Sequence, residues 1–347
     1  MSAAGPHLPW RALAVGAVAL IFACLIGWAL GSVAVPPQAV LAILISKLPV
    51  VELSAGGTPE KWDTIIWQIR APRVLLAALV GAALGISGAT YQGLFRNPLA
   101  DPYLIGVASG SGLGATVVLT TGIPLKLGGL TLVPLAAFVG GLAAAATAYL
   151  VARRSGGLQL TTLILAGVAT ASLASSVTSL MMIRSDPDVR PLLSWLMGSF
   201  GGTRWQDIGS VAPYIAIGVI GMLAYGRVLT MFQVEETEAR LLGVNVERAK
   251  LVLIVLASLT TAAAVSAGGL IGFVGLVAPH SVRLIWGHDY RFLLAMSMLV
   301  GGSFLVLSDL IARTVLAPGE LPVGVITAFC GAPFFIYLLQ RGRKALP

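Results

Sequence analysis

The chain has 347 residues, 57% of them hydrophobic and only 10% charged, with a formal net charge of +8. Soluble domains carry about 25% charged residues, so this composition excludes an ordinary water-soluble fold. The positive charge does not signal nucleic acid, because Lys and Arg collect in the cytoplasmic loops of membrane proteins.

Charge-free runs cover residues 12–46, 74–95, 102–125, 127–152, 155–183, 208–226, 251–282 and 321–340. About 20 apolar residues cross a ~30 Å hydrocarbon core. So many runs of that size make the chain integral to a membrane. Breaking them at charges, Pro and Gly predicts ten spans: 12–33, 72–93, 103–121, 131–152, 160–183, 208–227, 250–267, 271–286, 292–313 and 321–340. The fold class is therefore an all-α membrane domain, a single polytopic unit over 1–347. The first stretch follows Arg11 like a signal peptide, but it is too long and has no small-x-small cleavage site, so it is read as a span. The run 251–282 would be about 48 Å long as one helix, and Gly268-Gly269 divides it.

Placing the N-terminus inside puts 13 of the 22 basic residues on the cytoplasmic side, including Arg153-Arg154 and Arg341/Arg343/Lys344. Both termini are then inside. Cys24 and Cys330 have no pairing or metal-ligand spacing. The 41 glycines concentrate in stretches such as VGAALGISGATYQG and GVASGSGLG, which suit close helix packing in lipid. No Gly-x4-Gly-Lys-Ser/Thr sequence is present, so the chain has no ATPase of its own; no cofactor is expected on it.

Two polar segments interrupt the spans. Residues 185–202 (SDPDVRPLLSWLMGSFGG) start with turn residues and continue as a short outer helix at about 188–200, with Trp195 at interface level. Residues 233–250 (QVEETEARLLGVNVERAK) are the most charged stretch. A short helix is predicted from Glu235 to Leu242, with Glu236 and Glu238 in its first turn and Arg240 near its end. Gly243 caps it and Asn245 N-caps the next helix. With the apolar pair Leu241-Leu242, this reads either as a cytoplasmic docking element or as a solvated connector.

Residues 69–113 (IRAPRVLLAALVGAALGISGATYQGLFRNPLADPYLIGVASGSGL), 268–294 (GGLIGFVGLVAPHSVRLIWGHDYRFLL) and 308–339 (SDLIARTVLAPGELPVGVITAFCGAPFFIYLL) resemble FecCD-type permeases. EARLLGVNVERAK and WLMGSFGG match as well. These permeases are the membrane subunits of type II ABC importers for iron-siderophores, haem and cobalamin, and the resemblance spans nearly the whole chain. It implies a homodimer in the cytoplasmic membrane of a prokaryote. Two ATPase subunits, carrying ATP and Mg, dock inside, and one substrate-binding protein docks outside. The 233–250 element becomes the ATPase coupling surface. Iron-siderophore is the first expected cargo, with cobalamin and haem as alternatives.

The resemblance also assigns residues. Arg70 and Arg73 open the second span on the outer side, where the positive helix end gives them no local anionic partner. With Arg313 they are expected to receive carboxylates of the binding protein, the bidentate geometry suiting such docking; interfacial snorkelling is the alternative. The turn Arg96-Asn-Pro-Leu-Ala-Asp-Pro102 is rigid at both prolines. It resembles a cytoplasmic gate built from Asn97 and Leu99 with Thr161 and Thr162; an ordinary helix-loop-helix turn is the other reading. Asp309 and Arg313, four apart, are expected to pair on one helix face. His280 reads as a packed, hydrogen-bonded side chain rather than a haem ligand. An ion-coupled secondary transporter would need more intramembrane acids than Asp309. An intramembrane serine protease would need Ser109 or Ser111 beside His280, and those serines suit packing better.

Overall fold

A computed structural model of the chain describes residues 10–31, 33, 35–47, 60–121, 126–127, 130–154, 159–184, 190–234 and 236–342. The helices, in order, are α1 (Trp10–Ala29), α2 (Pro37–Ser46), α3 (Glu60–Asp63), a π segment (Thr64–Arg70), α4 (Ala71–Phe95), α5 (Val107–Thr120), α6 (Leu132–Arg154) and α7 (Leu160–Arg184). They continue with α8 (Arg190–Leu196), α9 (Trp205–Ala224), α10 (Gly226–Phe232), α11 (Glu236–Leu241), α12 (Val246–Gly268), α13 (Val274–Trp286), α14 (Tyr290–Ala312) and α15 (Val323–Gly342). A two-residue antiparallel ladder pairs Lys126–Leu127 with Leu130–Thr131.

Among the described residues seven helices are long and apolar enough to cross a membrane; α5 and residues 323–338 of α15 form shorter apolar helices. Together with the 13-residue α13 they occupy the ten predicted positions. The sequence did not anticipate α2, the π segment or the separation of α10 from α9.

Antiparallel α4 and α14 form the centre. Lipid supplies no hydrophobic drive between helices, so their approach depends on small residues. A Cβ on Gly81 would lie 2.3 Å from the Gly301 carbonyl oxygen, and one on Gly301 would lie 2.4 Å from that of Gly81. One apolar cluster, including Val74, Val80, Leu305 and Val306, fills one end of this pair. A second, including Tyr91, Leu94, Tyr290 and Leu293, fills the other. The outer faces of α1, α7 and α9 remain apolar and exposed, as at Phe22, Leu173 and Ile220.

The chain from Glu60 to Phe95 is helical throughout, but the turn before Pro72 widens to π geometry. Proline has no N–H, and its ring clashes with the carbonyl four residues back; a π turn moves that carbonyl away. Ala71 N–H therefore donates to Ile66 O. The Trp67 carbonyl is left facing Pro72, which cannot donate to it. Trp205 Nε1 satisfies that carbonyl at 2.9 Å, with the two indoles 4.7 Å apart.

Candidate functional site

At one end of the α4/α14 pair lies a buried ionic cluster. Arg73 Nη2 is 2.8 Å from Asp309 Oδ1, and Arg73 Nε donates to both oxygens of that carboxylate. Arg73 Nη1 donates to Glu320 at 2.9 Å. Arg313 Nε lies 3.7 Å from Asp309 Oδ2, while its Nη2 donates to the Gly27 carbonyl at the end of α1. Arg70 donates to the carbonyls of Trp28, Ala29 and Val33. Three guanidinium groups thus tie the end of α1 and the loop after α14 to the start of α4.

This corrects two expectations. Arg73 does have local anionic partners, Asp309 and Glu320, and Arg70 is occupied by backbone carbonyls. Asp309 engages Arg73 more closely than Arg313, because the i,i+4 partner sits at a helix end and turns toward α1. All three arginines are buried. The surface above them is the loop 314–320, exposed throughout and carrying Val315 and Leu316. Glu320, which sequence reasoning missed, is the member of the cluster that reaches solvent, with 43% of its side chain exposed.

The opposite end carries the charged segment. Gly243 adopts φ +83°. Its N–H bonds to Arg240 O and that of Val244 to Ala239 O, each at 3.0 Å. This pair of bonds is a Schellman cap. Asn245 then caps α12, its side chain accepting from Arg248 N–H at 3.0 Å. Both caps were predicted from residue type. Ala239 anchors α11 in the core, while Leu241 is 83% and Leu242 68% exposed. Arg240 and Glu247 pair loosely across the cap at 3.8 Å. Glu235 and the side chains of Glu236 and Glu238 lie outside the described residues. Gln233 ties this segment to α4 through a 2.9 Å bond to Gly93 O.

After α4 the chain does not form a full third helix at once. Asn97 Oδ1 accepts from Leu99 N–H at 2.9 Å, and Leu99 is half exposed at the tip. Residues 100–106 then enter the bundle as irregular backbone, and α5 starts only at Val107, not at the predicted 103. The break between α12 and α13 lies beside this stretch. Tyr103 Oη donates to Ile271 O at 2.9 Å and accepts from Ile271 N–H at 3.2 Å. Pro102 packs on Gly275. Non-helical backbone inside a membrane needs such partners from the protein itself. Thr161 is exposed and Thr162 half buried at the start of α7. Among the described residues no hydrogen bond links Asn97 or Leu99 to either threonine.

His280 packs edge-on against Phe334 and Phe335, each ring centroid 6.0 Å away. The expected hydrogen bond is not made at Nδ1, which is buried without a partner among the described residues.

A bundle of apolar helices, two of them starting at breaks inside it, with a charged and exposed short helix at one end, defines a polytopic membrane protein. The chain matches the FecCD transport family over residues 19–341 and belongs to it. It is 47% identical over 291 residues to the cobalamin import system permease protein BtuC of Halobacterium salinarum, covering 84% of this chain and 77% of that protein. It is 42% identical over 328 residues to the hemin transport system permease protein HmuU of Yersinia pestis, covering 89% and 98%. Among solved structures, a metal-chelate type ABC transporter in an inward-facing conformation matches with TM-score 0.82 and 30% identity, over 95% of this chain and 99% of that one. The chain is the transport subunit of an ABC importer, a multi-pass inner-membrane protein whose ATPase activity lies in a separate subunit.

Proposed function

We propose that this permease moves a metal chelate of the macrocycle class, a cobalamin-type corrinoid first and haem second. The observation that carries this reading is the 47% identity to a cobalamin import permease; the similarity to a hemin permease supports the second cargo. The iron-siderophore expected from the sequence has weaker support, a 33% identity to the Fe(3+)-citrate import system permease protein YfmE of Bacillus subtilis.

The working unit in this reading is a homodimer with its pathway along the dimer axis. Both termini lie inside, in keeping with Arg11 and the Arg153-Arg154 pair at the inner ends of α1 and α6. Two ATPase subunits, holding ATP and Mg, dock on Leu241 and Leu242. This chain binds no cofactor. One binding protein docks on the loop 314–320, for which Arg70, Arg73 and Arg313 form the floor. An incoming carboxylate reaches Arg73 by displacing Glu320, the solvent-facing partner. Asn97 and Leu99 close the inner mouth with Thr161 and Thr162, and Gln233 passes movement of α11 to the end of α4. Access alternates as ATP is bound and hydrolysed, and no covalent chemistry occurs on this chain.

The test is uptake into proteoliposomes holding this chain with its ATPase and binding protein, using labelled cobalamin, hemin and a ferric siderophore in parallel. Preferential ATP-driven uptake of cobalamin supports the first reading. Preferential uptake of the siderophore overturns the macrocycle assignment.

A further inference from the structure

A cavity of about 320 Å³ opens at the end of the bundle away from Arg73. Its lining includes Arg96, Arg283, His280 and His288, and no carboxylate among the described residues. Asp289, the acid next in sequence, is already engaged: Arg291 Nη2 lies 2.6 Å from its Oδ2, and its Oδ1 accepts from Arg291 N–H. Its carboxyl is held below the usual carboxylate range by those hydrogen bonds from Arg291.

Arg283 is the central donor. Its Nη2 donates to Gln92 Oε1 at 2.6 Å and its guanidinium also faces the Tyr290 hydroxyl, but Nη1 is buried with no hydrogen bond of normal geometry among the described residues. A guanidinium cannot accept a hydrogen bond and does not give up its proton. An unpaired N–H of this kind is costly to bury. An anion with several oxygens satisfies it while compensating the charge. The rim supplies a second observation. Leu284 and Ile285, on the last turn of α13, are 61% and 67% exposed, and Trp286 follows them. Indole rings and apolar side chains beside basic groups are the arrangement found where a helix meets the headgroup layer.

We infer that this cavity binds the phosphate of an anionic phospholipid headgroup, its acyl chains lying along Leu284 and Ile285. Free phosphate shares the chemistry, and the test separates the two sources. A bound phosphate joins the loop after α4 to α13, beside Gln233 of the segment that leads into α11.

Thermal unfolding of the full chain in a neutral detergent is followed with added phosphatidylglycerol, phosphatidylcholine or inorganic phosphate. Phosphatidylglycerol is expected to stabilise saturably and phosphatidylcholine not at all. Exposed His288 makes no side-chain bond among the described residues, so His288→Glu keeps the fold and weakens the apparent affinity roughly tenfold. Arg283→Gln weakens it as well. Arg154→Glu, a charge reversal on α6 outside the cavity, leaves the affinity unchanged. Equal stabilisation by inorganic phosphate supports the phosphate site and overturns the lipid as its source. An unchanged affinity in His288→Glu, or an equal loss in Arg154→Glu, overturns the site itself.

Discussion

Arg73 and Asp309 stand 236 residues apart in sequence, yet two nitrogens of the one grip the carboxylate of the other, at 2.8 Å in the closest contact. This pair joins α4 to α14 where both are buried, and Asp309 is only 1% exposed. Removing one partner from a buried pair costs about 3–5 kcal/mol, because the other charge stays buried and unpaired. Asp309→Asn is therefore expected to destabilise the chain by that amount in detergent unfolding. Glu320→Gln, at the solvent edge, costs under about 1 kcal/mol. Equal effects of the two would contradict the division between a structural inner pair and an exchangeable outer one.

The approach of α4 to α14 predicts a sharp positional effect. A side chain on Gly301 meets backbone of Gly81, which cannot rotate away. Gly301→Val is expected to cost at least about 2 kcal/mol. Gly209→Ala in α9, where nothing lies within 4 Å, stays within about 0.5 kcal/mol. Thermal unfolding of the two purified variants compares them directly.

Trp205 is expected to matter through one hydrogen bond as well as its ring. Trp205→Phe keeps most of the stacking on Trp67 but orphans the carbonyl that the π turn exposes. The cost is about 1–3 kcal/mol, and the measurement is again the unfolding midpoint. A midpoint equal to that of the parent would show that water serves this carbonyl equally well.

Leu241→Ser with Leu242→Ser removes apolar side chains that touch little of the subunit itself. The fold is expected to keep its unfolding temperature, since Ala239 and the Gly243 cap hold α11. Co-purification with the ATPase is expected to fall at least about tenfold, the loss of two apolar anchors from an interface. Undiminished co-purification would place the coupling surface elsewhere.

The local features of the chain were legible from residue type. Gly243 and Asn245 cap the helices they were expected to cap, because a left-handed C-terminal residue and an N-cap acceptor are decisions made within one turn. The ten segments were legible because charges, Pro and Gly end helices where they stand. What sequence could not show is non-local. Arg313 is the partner that i,i+4 spacing suggests for Asp309, and no periodicity points instead to Arg73. Pro72 was visible, but not the π turn it induces or the indole that answers it. The late start of α5 depends on Tyr103 bonding to Ile271, a contact that hydrophobic patterning does not encode. Arg70, Arg73 and Arg313 were picked out as residues, while their burial beneath the loop 314–320 emerged only from the packing.

The most direct test of the account is transport by reconstituted vesicles in which ATP and ion gradients are varied separately. The account predicts uptake of a metal chelate only when this chain, its ATPase and its binding protein are all present and ATP is supplied. Uptake by this chain alone, driven by a proton or sodium gradient, would contradict it.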